Sequence, residues 1–298
     1  MLYLVGSIIL SSYLTVSFKL VERLNINTFQ TIAFNYITCV ITGSIVNVHF
    51  PLHSSIVNHS WFRWSLLMGA TFIFLFNIIA FTAQKIGVSV ASVANKLSLV
   101  IPFLFSIYLF HEKANIYKIS GIAIALLAVY LTCYNKNSSD NKPAFISKKP
   151  FYLHIVPFLP VILFVGSGLL DTMIKFVEQS YLNAVNHNIF LIAAFAVAAS
   201  IGIVILIVGL ISGKQKFSYK SVVAGIAIAI PNYFSIWCLL KVLKLYAGKS
   251  SAIIPINNMG IVLFGTVVAW IAFHERLTAI NWLGILFSII SIALIAFG

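Results

Sequence analysis

Charge is scarce in this chain. Only 8% of its 298 residues are charged and only six are acidic, whereas soluble domains carry about 25% charged residues. With 61% hydrophobic side chains, no soluble fold of this length has interior enough to hide them, so the solvent for most of the chain is lipid. Cysteine is scarce too. Cys39, Cys133 and Cys238 are odd in number and all fall inside apolar runs, which excludes a disulfide framework and predicts core packing. Short alternating segments are missing, which excludes a closed β-barrel. No Gly-rich phosphate loop is present, so this chain does not hydrolyse ATP. No nucleophile–base constellation stands out, and no catalytic residue is assigned: the chain is read as no enzyme. His49 and His53 have helical spacing but straddle Pro51, so no metal and no cofactor is expected. The net charge of +13 is spread over short segments between apolar runs. That pattern fits juxtamembrane contact with anionic headgroups and not nucleic acid. The N-terminus lacks a basic region before its first apolar run, and reads as a retained first span.

What remains is a series of apolar runs. Ten of them, at 2–21, 30–48, 62–84, 88–110, 115–134, 153–177, 185–211, 219–241, 250–273 and 279–297, each approach the ~20 residues that a helix needs to cross the hydrocarbon. Lipid offers no partner for backbone polar groups, so they are expected to be helices. Pro102 and Pro255 make bends plausible in the fourth and ninth. The one polar linker, 135–152, separates the fifth run from the sixth.

The two sides of that linker repeat one another. Phe110-His111-Glu112-Lys113 recurs as Phe273-His274-Glu275-Arg276, an offset of 163. Gly121 and Gly284 keep the same offset, as do Asn95 and Asn258. Lys19-Leu20-Val21-Glu22 matches Lys175-Phe176-Val177-Glu178 at 156, which places an insertion between the matched regions, around Lys244–Gly248. An internal duplication follows. Its halves are 1–134 and 153–298. Five spans is an odd number, so the second half enters the membrane upside down. The fold class expected is an all-α membrane protein of ten transmembrane helices in two inverted five-helix repeats, the plan of many secondary transporters.

These residues resemble a known family. Ten spans in two halves, each ending Phe-x-Glu-[Lys/Arg] followed by Gly121 or Gly284 and a last apolar helix, look like the drug/metabolite transporter superfamily, and the EamA-type permeases most closely. The stretches Pro102–Leu131 and Gly265–Leu294 resemble that family's fourth and fifth, and ninth and tenth, helices. The resemblance implies the fold over nearly the whole chain and a transported cargo, but not which cargo. It also implies cytoplasmic termini, whereas Lys136, Lys142, Lys148 and Lys149 would place the linker in the cytoplasm.

Several residues invite two readings. Glu112 and Glu275 follow apolar helices, and each is expected to accept N–H groups at the start of the next helix, as a structural corner in preference to a substrate ligand. Lys113 and Arg276 can snorkel, and Gly121 and Gly284 read as close helix contacts. Asp171 is the one carboxylate well inside a span, and Lys96 is its basic counterpart. Charge at that depth costs at least ~2.5–3.5 kcal/mol, so each should face a cavity or a partner. A buried structural pair and a cavity that recognises cargo or takes up a proton both satisfy this. Asparagines and aromatics recur on the apolar helices: Tyr13, Asn35, Asn77, Asn95, Asn232, Tyr233, Trp237, Asn257 and Asn258. Singly these are interhelical glue; together they predict a moderately polar cavity.

The reading is therefore a multi-pass protein of the bacterial inner (plasma) membrane, monomeric or homodimeric, with the lipid bilayer and a small-molecule substrate as partners. It would be a secondary transporter, an exporter of a small polar or amphipathic metabolite such as an amino acid, working by alternating access, with protons as one available drive. The expected substrate-binding set is Asn95, Lys96, Asp171, Tyr233, Trp237, Asn257 and Asn258. The alternatives are a translocase of a sugar, nucleotide sugar or lipid-linked sugar, and a non-transporting membrane receptor or enzyme.

Overall fold

The computed structural model describes residues 2–46, 54–110, 115–133, 156–182, 186–245, 250–275 and 277–297. Among the described residues there are α-helices and two short 3-10 turns, and no strand. The helices are α1 (Leu2–Arg23), α2 (Thr28–Val46), α3 (Phe62–Lys85), α4 (Val88–Leu97), α5 (Val100–Phe110) and α6 (Ile116–Cys133), then α7 (Leu159–Tyr181), α8 (Asn186–Ile211), α9 (Tyr219–Leu245), α10 (Ser250–Phe273) and α11 (Ala279–Phe297). Eight stretches are long and apolar enough to cross a bilayer, and α6 and α11 supply two shorter apolar segments, Ile119–Thr132 and Ala279–Ile295. The ten expected runs therefore coincide with ten spans, α4 and α5 counting as one.

That one span is broken at Ser98–Leu99. Pro102 has no N–H to return to the Ser98 carbonyl four residues back. The Ile101 N–H takes that carbonyl instead, at 2.9 Å. The bend expected at Pro102 is thus displaced a turn toward the N-terminus. α10, which contains Pro255, runs as one element. Outward side chains are apolar: Val204, Val208, Leu127 and Trp270 all stand exposed, as they must where lipid is the solvent.

The packing obeys a two-fold exchange of the halves. α2 lies on α9 and α3 on α8; α1 lies on α9 and on α10, while α7 lies on α3 and on the α4–α5 pair. Exchanging each first-half span with its counterpart leaves this list unchanged, and α2·α8, α4·α10 and α6·α11 map onto themselves. Single residues obey it as well. A Cβ at Gly121 would meet the Ile295 nitrogen at 3.2 Å, and one at Gly284 would meet the Thr132 nitrogen at 2.6 Å. Thr132 and Ile295 are themselves 163 apart, so the two glycines are the close contacts expected of them, each serving the other half.

The same comparison corrects the single insertion. A Cβ at Gly69 would meet the Ala194 carbonyl at 2.6 Å, and one at Gly225 the Thr31 carbonyl at 2.9 Å. Thr31 and Ala194 are 163 apart, but Gly69 and Gly225 are 156 apart. The offset therefore rises, falls and rises again along the chain. The long connection 47–61 opposes the short one 212–218, so the length differences sit in several loops and not in one. Helix packing fixes register within spans; loops take up the remainder.

His49 and His53, the tetrapeptide residues His111, Glu112 and Lys113, Arg276 and the linker 135–152 lie outside the described residues. Cys39 is buried and free, and Cys238 is half-buried and free.

Candidate functional site

α4 and α10 pack on one another, and each carries an asparagine of the repeat. The equivalence that maps Ser98 onto Ile261 also maps Asn95 onto Asn258. Both asparagines are half-buried, and Asn257 beside the second is buried. The Ser98 hydroxyl donates to the Asn95 carbonyl at 2.5 Å, which takes up one carbonyl freed where α4 ends. Gly168 lets α7 approach that break, because a Cβ there would meet the Ser98 carbonyl at 2.8 Å. One turn further along α7, the Asp171 carboxyl lies beside the Ser98 hydroxyl and within electrostatic reach of Lys96. The two charges do not close to a salt bridge: the described ion pairs are Lys19–Glu22 and Lys85–Glu22. Lys96 is half-buried and Asp171 is exposed, so the structure brings the two charges near one another across the α4–α7 contact without burying the carboxylate.

Four buried polar atoms in these helices have no hydrogen-bond partner: Ser92 Oγ on α4, Asn257 Oδ1 and Thr266 Oγ1 on α10, and Ser7 Oγ on α1. Ser92 stands directly against Gly265 of α10, its Oγ 3.1 Å from where a Cβ would be. Buried polar groups are almost always paired. Unpaired ones spread along α1, α4 and α10 are places for water or a polar ligand.

The other expected residues are placed elsewhere. Trp237 meets Tyr3 of α1 edge-on, with ring centroids 5.8 Å apart, and Lys241 sits over its ring at 5.2 Å. Tyr233 packs on Phe234 and against Gly43 of α2. No described contact joins these two aromatics to Asn95, Lys96, Asp171 or the α10 asparagines. Asn232 donates to Asn35 at 3.4 Å, tying α9 to α2, and Asn77 donates to the Ile73 carbonyl of its own helix. These asparagines act as glue.

One end of the bundle is knit by the repeated glutamate. Glu275 accepts from the Val88 N–H at 2.6 Å, the Ser89 N–H at 3.3 Å and the Ser89 hydroxyl at 2.9 Å. It caps α4. The expectation that it would cap the helix following it is corrected. α11 is capped by Thr278 and Asn281, whose side chains and backbone N–H groups exchange hydrogen bonds at 2.8–3.3 Å. The physical reason is Gly87. With no side chain and a φ of 147°, it leaves the N-terminus of α4 without a cap of its own and leaves room for a carboxylate from the other half. Arg23 adds bonds to the Ala272 and Phe273 carbonyls at 3.2 and 2.9 Å. Lys19 donates to the Gln84 carbonyl at 2.6 Å.

Residues 1–134 match the EamA-like transporter family. The first half of the chain is thus similar to EamA-like transporters. The chain is also 27% identical over 297 residues to an uncharacterized protein of Haemophilus influenzae, a match covering 97% of this chain and 95% of that one. The polar groups of α4 and α10 lie on stretches long and apolar enough to cross a membrane. Sequence reasoning singled out Lys96, Asp171 and the asparagines of α4 and α10 because charge and amide groups are rare in apolar helices. It missed Ser7, Ser92 and Thr266, since a small hydroxyl in a membrane helix ordinarily returns its proton to the preceding turn and carries no signal of its own.

Proposed function

We propose that this protein is a secondary transporter, an exporter of a small polar or amphipathic metabolite such as an amino acid, in the bacterial inner membrane. Cargo would bind at the α4·α10 crossing, between two inverted halves bounded at 1–134 and 153–298. The observation that carries this reading is the set of unpaired buried polar atoms on α4 and α10, Ser92, Asn257 and Thr266, on the two spans that carry Lys96 and the repeated asparagines. A zwitterion offers a carboxylate for Lys96 and an ammonium for Asp171, and amide side chains can donate and accept around it. The α4–α5 break supports the same place, since interrupted helices line the midplane sites of inverted-repeat transporters.

Alternating access needs one end closed while the other opens. The Glu275–α4 cap and the Arg23 contacts close the Arg23 end by joining the α10–α11 corner to the α3–α4 turn and the end of α1. Opening that end would break them together. Counterflow in proteoliposomes, against a panel of amino acids, nucleosides, sugars and cationic dyes, tests the reading. Saturable exchange of one zwitterionic class is expected; exchange of a sugar class alone would replace it with the sugar translocase.

A further inference from the structure

The two-fold leaves one pair of contacts unequal. α7 packs on α3 with its own side chains filling the space. Trp64 stacks edge-on with Phe176 at 5.4 Å between centroids, and Met68, Phe72 and Met173 complete a packed cluster. The equivalent contact, α1 on α9, holds an open groove of about 350 Å³ between Ser17, Leu20, Val21 and Leu24 on one side and Lys220, Val223, Ala224 and Ala227 on the other. The offset of 156 explains the difference. Lys220 stands where the other contact has Trp64, Ala224 where it has Met68, Ser17 where it has Met173, and Leu20 where it has Phe176. Each large residue on one side of the molecule is smaller or charged on the other.

The groove lies at the Arg23 end of the spans, and its rim is exposed at Leu20, Leu24 and Val223. Its walls are almost wholly apolar. Its charged lining residue, Lys220, is exposed, and Lys214 and Lys216 are exposed on the connection just before it. That connection is held in place by Gln30 of α2, which donates to the Lys216 carbonyl at 2.8 Å and accepts from the Ser218 N–H at 3.1 Å. The nearby basic residues of α1 are engaged elsewhere: Lys19 with Glu22 and Gln84, Arg23 with the α10 carbonyls. Lys220 has no ion-pair partner among the described residues.

We propose that the α1–α9 groove is a binding site for an anionic phospholipid, one acyl chain lying between Ser17–Leu24 and Val223–Ala227 and the headgroup phosphate meeting Lys220. The occupant is argued from charge complementarity and position. A lipid-facing apolar slot with an unpaired cation at its rim matches a chain joined to a phosphate, and a basic cluster at headgroup level attracts anionic lipid. The site is independent of what the crossing transports.

Photocrosslinking tests it. The full-length protein is reconstituted in phosphatidylcholine vesicles containing a minority of phosphatidylglycerol with a diazirine on its acyl chain, and labelled peptides are mapped. The expected result is labelling concentrated on the peptides of Ser17–Leu24 and Tyr219–Ile228, above the lipid-facing Val204–Val208 of α8. Lys220→Gln should lower that labelling about fivefold, the worth of one lysine near an anionic surface. Ala227→Phe should lower it by filling the slot, with labelling of α8 as the internal control for folded, inserted protein. Equal labelling of the groove and α8, or equal labelling by a diazirine phosphatidylcholine, overturns the proposal. So does groove labelling that is lost on adding a transported solute, which would make the slot a cargo entrance.

Discussion

The Ser12 hydroxyl donates to the Ile261 carbonyl at 3.3 Å. The two-fold that relates the halves puts this contact on top of another, Gly168 against the Ser98 carbonyl. At one crossing a side chain takes up the carbonyl; at the other a glycine lets the helix come close and leaves room for Asp171 one turn on. Two contacts with the same backbone geometry thus serve different ends. The second is the one beside the charges.

Close packing at the α6–α11 contact should be intolerant. Gly284→Leu would drive a side chain into the Thr132 nitrogen, 2.6 Å from the added Cβ, and Gly121→Leu into Ile295. Each should destabilise by about 1–3 kcal/mol, the usual cost of overpacking. Gly6→Ala, whose Cβ meets only the Cys238 sulfur at 3.4 Å, is the tolerated control. Thermal melts of the three purified variants in one detergent check the ranking; a Gly284 variant that melts with the wild type removes the close contact.

The Glu275 cap should act as a latch. Glu275→Ala removes three acceptor contacts at the start of α4 and should cost about 0.5–2 kcal/mol of whatever state holds them. Because the cap joins the halves, its loss should favour opening at the Arg23 end. A cysteine at Lys85 should then react faster with a membrane-impermeant thiol reagent in the Glu275→Ala background. An unchanged rate would leave the cap a fixed corner.

Asp171→Asn should alter flux or its pH dependence while the protein stays folded and inserted. The side chain keeps its size and its neighbour Ser98, but it no longer balances Lys96. Flux that is unchanged across pH would assign Asp171 to packing alone.

The spans were legible because lipid forces a simple code: apolar runs, few charges, helices throughout. Gly121 and Gly284 gave the register because a glycine at a close crossing has no substitute. Glu275 gave the corner but not its target, since capping α4 depends on Gly87, more than a hundred residues away, and no periodicity connects them. The break at Ser98–Leu99 was displaced from Pro102 because a proline disrupts the turn before it. The shifting offset was hidden because only the first helices and the last two spans carried recognisable matches. The groove between α1 and α9 became readable only when Lys220 was set against Trp64, an equivalence that needs the packing first.

Counterflow with two alanine variants tests the central claim most directly. Asn258 and His274 both belong to the repeat, but Asn258 is half-buried at the α4·α10 crossing and His274 is exposed at the corner. With both variants inserted to the same level, Asn258→Ala should weaken exchange of the transported solute more than His274→Ala. The reverse ranking would contradict a site at the crossing and move it to the membrane surface.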